Sequence, residues 1–248
     1  MPHSIADGLP SEFYDRPVVE VARALLGCTV SHTVSGGTPV AGVIVETEAY
    51  HEGEPACHAF VGLTPRTRIL FGAPGLAYVY RSYGIHALLN AVCEREGVGA
   101  AVLIRALQPL EGLEQMRVRR APDSDHAGGD RRSSPRRSIS HFPGDAELCS
   151  GPGKLTQALG VDLAENGGDL SRGPVKIHGP TAAWEDPSVV VGTRVGITKA
   201  VELPWRFCVA GNPHVSRPRP RTEGVSPWRR ARAHTPERRQ SGSSKDWR

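Results

Sequence analysis

Residues 43–50, Val-Ile-Val-Glu-Thr-Glu-Ala-Tyr, alternate as a β-strand does, with Val43, Val45, Thr47 and Ala49 on one face and Ile44, Glu46, Glu48 and Tyr50 on the other. The first face has the composition of a core. The second lines up two carboxylates and a tyrosine, which suits either a solvated face or a cleft that does chemistry. Working outward, Cys28 to His32 and Gly42 to Tyr50 read as strands joined across Ser35-Gly36-Gly37. Pro17 to Leu26 has helical spacing, with Val18, Val21, Ala22 and Leu25 on one side, Asp15 placed to cap it and Gly27 to end it. Residues 51–68 are polar and irregular. Leu76 to Tyr83 and Ile85 to Val92 are two strand-like runs around Gly84, and Ala100 to Leu107 reads as an inner strand. Leu110 to Val118 and Lys154 to Leu159 read as helices, Val175 to Ile177 and Val189 to Ile197 as strands.

The chain has 248 residues, 39% of them hydrophobic, enough for one substantial core. Its formal charge of +4 is unevenly spread. Residues 217–248 hold ten Lys and Arg against three acids, a formal +7, which leaves residues 1–216 at about −3. A nucleic-acid footprint on the body would therefore be a local patch. The stretch 119–147, RRAPDSDHAGGDRRSSPRRSISHFPGDAE, has little apolar surface to bury and reads as a mobile surface insertion. Residues 217–248 read as a basic, disordered tail. The five cysteines are scattered with no Cys-x-x-Cys pair, so neither a disulfide framework nor a zinc site is expected. The first residues lack an apolar signal core and no apolar run approaches a membrane span, so a cytoplasmic, nucleoid-associated protein without membrane attachment is expected.

Several stretches carry a resemblance together that none carries alone: FYDRPVVEVARALLG, VETEAY followed by CHAF, TPRTR, GLAYVYRSYGIHALLN, VLIRALQPLEGLEQMR, LCSGPGKLTQALG and RVGITKAVELPWRF. In this order the sequence resembles the alkyladenine (3-methyladenine) DNA glycosylase family. The resemblance covers most of residues 13–216 and leaves out the insertion and the tail. It implies a mixed α/β (α+β) fold: one domain, residues 11–216, with a curved, largely antiparallel sheet, flanking helices and a protruding β-hairpin. It also implies a monomer acting on double-stranded DNA that contains damaged purines, with no cofactor and no metal.

The implied chemistry is hydrolysis of an N-glycosidic bond through an oxocarbenium-like sugar. That needs a positioned water, a base for its proton and negative charge beside the developing cation. By resemblance Glu48 supplies these, and Glu46 supports it. A glutamate with a pKa near 4.3 is ionised at neutral pH unless strongly desolvated. Tyr50, His58 and Tyr80 match the stacking and edge-contact positions of a base pocket. Asn90 matches the purine-edge contact that disfavours a guanine amino group, although a strand-end turn also uses asparagine. Arg105, in the apolar run VLIRALQPL, needs a partner or a polar cleft, and by resemblance lies near the flipped nucleotide. Tyr83, beside the turn residue Gly84, matches the residue that intercalates from the minor groove. Arg66, Arg68, Ser150, Gly153 and Lys154 are candidate phosphate contacts, the last three opening a short helix.

No lysine flanks the acidic strand, and neither Lys154 nor Lys199 matches a family nucleophile, so base excision without lyase activity is expected. Thr67 to Phe71 lacks the Asn and Met of the family pattern, and His86 and Leu88-Leu89 vary the layer behind the pocket. These departures bear on lesion preference. Two rivals stand beside the enzyme: a damage-binding protein that does not cut, and a formyltransferase-like domain handling free nucleotides.

Overall fold

The computed structural model describes residues 8–34, 37–82, 84–121 and 143–220, and the backbone of 225–226. The chain forms a mixed α+β fold around one nine-stranded antiparallel sheet. Its strands are β1 (Thr29–His32), β2 (Val40–His51), β3 (Ala77–Ser82), β4 (His86–Val92), β5 (Ala100–Glu111), β6 (Val175–His178), β7 (Val189–Gly192), β8 (Arg206–Val209) and β9 (Val225–Ser226). The main path runs β3-β4-β5-β2-β8-β7-β9, and β1 bridges β2 to β6. Helices α1 (Ser11–Tyr14), α2 (Val18–Ala24), α3 (Leu113–Arg120), α4 (Asp145–Leu148) and α5 (Pro152–Leu159) flank it. Among the described residues no helix is long and apolar enough to cross a membrane.

The twelve-residue strand β2 organises the molecule. One edge pairs along its length with β5. The other is shared: β1 takes Val40 to Val43, and β8 takes Glu46 to Glu48. Register shifts on the β5 side fall between Ala41 and Gly42 and again between Ile44 and Thr47, where a bulge at Val45 is matched by an unpaired Arg105 on β5. The bulge corrects the simple alternation expected of residues 43–50. Ile44, not Val45, joins Ala49 in the large core beneath α2, while Val45 packs with Ala106, Cys208 and Val215. Thr47 stays on the α2 side and donates to the Ala22 carbonyl at 2.7 Å. Glu46, Glu48 and Tyr50 are left on the opposite side.

Helix α2 buries Val18, Val21, Ala22 and the following Leu25, the stripe that its spacing predicts. Each large apolar side chain so buried contributes on the order of 1.5–3 kcal/mol. Its cap is not Asp15, whose backbone closes α1. The carboxylate of Glu94 instead accepts the Val18 N–H at 3.0 Å. An acid 76 residues away does this because Pro17 occupies the cap position and offers no side-chain acceptor. Helix α3 begins at Leu113, later than expected, because β5 continues to Glu111 and turns at Gly112. Gly112 has φ +72°, and a Cβ there would lie 2.6 Å from Val40.

β3 and β4 form the expected hairpin, with Gly84 at φ +72° in its tip. Tyr83 lies outside the described residues. Strand character after Val189 ends at Gly192 rather than Ile197, and residues 193–200 form a loop. The insertion expected over 119–147 is structured at both ends. Arg119 and Arg120 complete α3, Arg119 donates to the carbonyls of Ala158 and Leu159, and Asp145 to Glu147 open α4. Residues 122–142 lie outside the described residues. The tail expected from 217 onward starts later as well. Arg206 donates to the Pro218 carbonyl at 2.9 Å, and the backbone of β9 pairs with β7. The rest of that stretch, 221–224 and 227–248, is outside the described residues.

Candidate active site

Glu46 and Glu48 are both fully buried, at 0% exposure. Burying a carboxylate is costly unless donors surround it. Four surround Glu46: Arg105 Nε at 3.0 Å, Arg206 Nε at 2.7 Å and Ser216 Oγ at 2.9 Å reach Oε1, and the Ser216 N–H reaches Oε2 at 2.7 Å. Three of these donors crowd Oε1 and one reaches Oε2, and two of the four come from arginines, so Glu46 is held as a fixed counter-charge. Glu48 has three donors. Tyr50 Oη at 2.8 Å and Arg105 Nη1 at 3.2 Å donate to Oε2, and the Val195 N–H donates to Oε1 at 2.7 Å. One acceptor position, on Oε1, is left over.

Electrostatics follow from this packing. Burial pushes Glu48 above the ordinary carboxylate range, against the pull of Arg105 first, then the Val195 N–H and Tyr50. Burial, then the Glu48 charge, drives the Tyr50 phenol far above its ordinary range, so it stays protonated and donates. Burial lowers Arg105, but Glu48 and Glu46 more than offset this and keep the guanidinium charged.

Beside Glu48 opens a pocket of about 620 Å³, within the usual size of small-ligand sites. Tyr50, Arg105 and Val195, the three partners of Glu48, all line it. So do His58, Tyr80, Asn90 and Arg66. The chain therefore brings Tyr50, His58, Tyr80, Asn90 and Arg105 together on the pocket wall from β2, β3, β4, β5 and the short 3-10 turn His58–Val61, while Glu48 does not itself line the pocket but lies buried behind Tyr50, Arg105 and Val195. Tyr80 stands edge-on to His58 with ring centres 4.6 Å apart. Burial, then the Arg66 charge, lowers His58, and its Nδ1 lies 3.1 Å from Tyr78 Oη. Burial raises Tyr80 to about 12, so both rings are neutral at neutral pH. The Asn90 amide nitrogen donates to the carbonyl of Tyr78 at 3.0 Å, which fixes the side chain.

The proposed phosphate contacts are more dispersed. Arg66 is exposed at the pocket wall, while Arg68 is exposed on the next turn and does not line the pocket. Ser150, Gly153 and exposed Lys154 surround the start of α5, whose Pro152 reaches the pocket. Lys199, exposed on the 193–200 loop, lines the pocket too.

Four participants were not singled out from the sequence. Tyr78 stacks on Tyr80 at 5.3 Å, and its place two residues earlier on the same strand face could have revealed it. Val195 contributes only backbone. Arg194 and Glu54 form a buried pair beneath Tyr50, 140 residues apart in sequence, and no local pattern joins them.

Residues 12–213 match the family model described as methylpurine-DNA glycosylase. A protein of Bradyrhizobium diazoefficiens named "Putative 3-methyladenine DNA glycosylase" is 48% identical over 220 residues, 89% of this chain and 96% of that protein. Proteins with the same name from Methanoculleus marisnigri and Rubrobacter xylanophilus are 45% and 48% identical, covering 84% and 81% of this chain and 98% and 92% of their own lengths.

Proposed function

Because the chain belongs to the methylpurine-DNA glycosylase family, we propose that it is a monofunctional DNA glycosylase. It draws an alkylated purine out of duplex DNA and hydrolyses the bond between that base and its deoxyribose. The observation that carries this reading is the unequal satisfaction of two buried acids. Glu46 is locked between Arg105, Arg206 and Ser216, whereas all three partners of Glu48 line the pocket and its Oε1 takes a single donor, the Val195 N–H. A water held there would lose its proton to Glu48 as it attacks the sugar. The carboxylate, in a site of low dielectric, would stabilise the oxocarbenium charge as the base departs.

The other residues take the roles that their positions suit. Tyr50, His58 and Tyr80 enclose an electron-poor, often cationic base, and each good aromatic face contributes about 0.5–2 kcal/mol. Asn90 reads the purine edge and Arg105 orients Glu48 beside the flipped nucleotide. Tyr83 fills the gap left in the duplex, and Arg66, Arg68, Ser150, Gly153 and Lys154 hold phosphates. The catalytic unit is residues 11–216, acting as a monomer. 3-Methyladenine is the principal substrate, with 7-methylguanine, hypoxanthine and ethenoadenine as further candidates.

Single-turnover excision on duplexes with one lesion each, comparing wild type with Glu48→Gln, tests this. Release by wild type alone is expected. Equal release by both removes Glu48 from its role, and release by neither makes the chain a damage-binding protein. Borohydride should trap no protein–DNA adduct despite Lys199 in the pocket wall; a trapped adduct would show an amine nucleophile and lyase chemistry.

A further inference from the structure

We propose that the buried Arg194–Glu54 ion pair is the positioning element of this site, setting the two partners of Glu48 that Arg105 does not supply. The Arg194 side chain is 0% exposed and that of Glu54 is 7% exposed. Arg194 Nη1 donates to Glu54 Oε1 at 2.6 Å and Nη2 to Oε2 at 3.0 Å, a two-pronged contact that fixes the guanidinium plane. The same nitrogens donate to the carbonyls of Ala49 at 3.0 Å and Ala200 at 3.3 Å. The guanidinium carbon lies 4.6 Å from the Tyr50 ring centre and 5.4 Å from that of Trp205. Arg194 does not line the pocket, so it acts through its neighbours.

Two of those neighbours hold the carboxylate. Tyr50 rests against the guanidinium and donates to Glu48 Oε2; Val195, the next residue along the chain, donates to Oε1. Glu54 does a third thing, accepting the Ala56 N–H at 2.8 Å and so fixing the turn that leads to Cys57 and His58. One ion pair thus ties together the two loop segments, 52–58 and 194–200, that wall the pocket. A pair that served only the core would affect stability and leave the Glu48 carboxylate unchanged.

The titration of Glu48 separates these cases. The groups that act on it are Arg105 of β5, Glu46 and Tyr50 of β2, Tyr80 of β3, Cys208 of β8 and the Val195 N–H. Of these, only Tyr50 and Val195 touch or adjoin Arg194. Both favour the ionised form, so loosening them makes Glu48 harder to ionise.

The inference rests on the catalytic role proposed for Glu48, and the test keeps the two apart. The full chain is labelled at glutamate carboxyl carbons, and the Glu48 resonance is assigned by its loss in Glu48→Gln. Its midpoint is compared between wild type and Arg194→Lys, alongside the pH profile of single-turnover release from a duplex carrying one hypoxanthine. In Arg194→Lys the midpoint and the acid limb should both rise by about one pH unit, about a tenfold slower release on that limb. Duplex affinity should stay within about threefold, since the phosphate contacts that supply most of it are untouched. Glu54→Asp, which keeps the charge but draws it back, should give a smaller rise and serves if Arg194→Lys does not fold. A midpoint that stays at the wild-type value in a folded variant overturns the positioning role. A midpoint that moves in a protein whose wild type releases neither hypoxanthine nor 3-methyladenine from duplex DNA upholds the positioning and defeats the glycosylase reading.

Discussion

Glu46 and Glu48 are two residues apart on one strand and one hydrogen bond apart in satisfaction. That difference assigns their roles and predicts opposite phenotypes. Glu48→Gln should lower single-turnover release by about 10²- to 10⁴-fold, the usual span for a lost general base, with the fold intact. Glu46→Ala should act on stability. It leaves Arg105 and Arg206 buried without their shared carboxylate, a break that typically costs about 3–5 kcal/mol, and urea unfolding should report it. The pH dependence follows from the raised Glu48. Only its ionised form can take a proton, so release should climb with pH through a midpoint above the ordinary value and then level off. For stability the sign is reversed. A carboxylate harder to ionise when folded favours the native state most below its unfolded pKa, and that contribution fades as pH rises through the folded midpoint.

At the scale of elements, the bulge at Val45 and the capping of α2 decide how the site is aimed. Ile44 and Thr47 both pack toward α2 on either side of the unpaired Val45, which leaves Glu46 and Glu48 on the opposite face. Inserting one alanine between Thr47 and Glu48 should turn Glu48 and Tyr50 to the other face and abolish release and most of the native stability together, as thermal unfolding would show. The cap gives a milder prediction. Glu94→Ala removes the acceptor for the Val18 N–H, and losses of this kind cost about 0.5–2 kcal/mol. Chemical denaturation should register that loss, while the acid limb of release stays where it was, because Glu94 is not among the groups that shift Glu48.

For the whole molecule, charge is divided between a body near −3 and a strongly basic C-terminal stretch. That stretch is proposed to add sequence-independent DNA affinity through counterion release. Cutting at Ser216 would also remove the Pro218 carbonyl that holds Arg206, and with it part of the Glu46 cluster. Truncation after Ser226 spares that contact and the β7–β9 pairing, yet removes Arg229, Arg230, Arg232, Arg238, Arg239, Lys245 and Arg248. Duplex binding should then fall less steeply with salt, with single-turnover release from bound DNA unchanged. An unaltered salt slope would exclude the stretch from binding.

By itself the sequence determined what local spacing encodes. Period-two alternation set the strands of the hairpin and the acid-bearing strand, helical spacing set the buried stripe of α2, and the ordered motifs set the family. Alternation grouped Glu48 with Tyr50 on one strand face, whereas Tyr80 and Arg105 joined them only through the family resemblance of the ordered motifs. Tertiary structure alone decided whatever depends on segments distant in the chain. Glu94 replaced Asp15 as the cap, Val45 and Arg105 dropped out of the β2–β5 ladder together, Val195 offered a backbone N–H that no side chain announces, and Arg194 found Glu54. A buried charge requires a partner but does not specify where in the chain that partner lies, so the pairing is fixed only when the sheet closes.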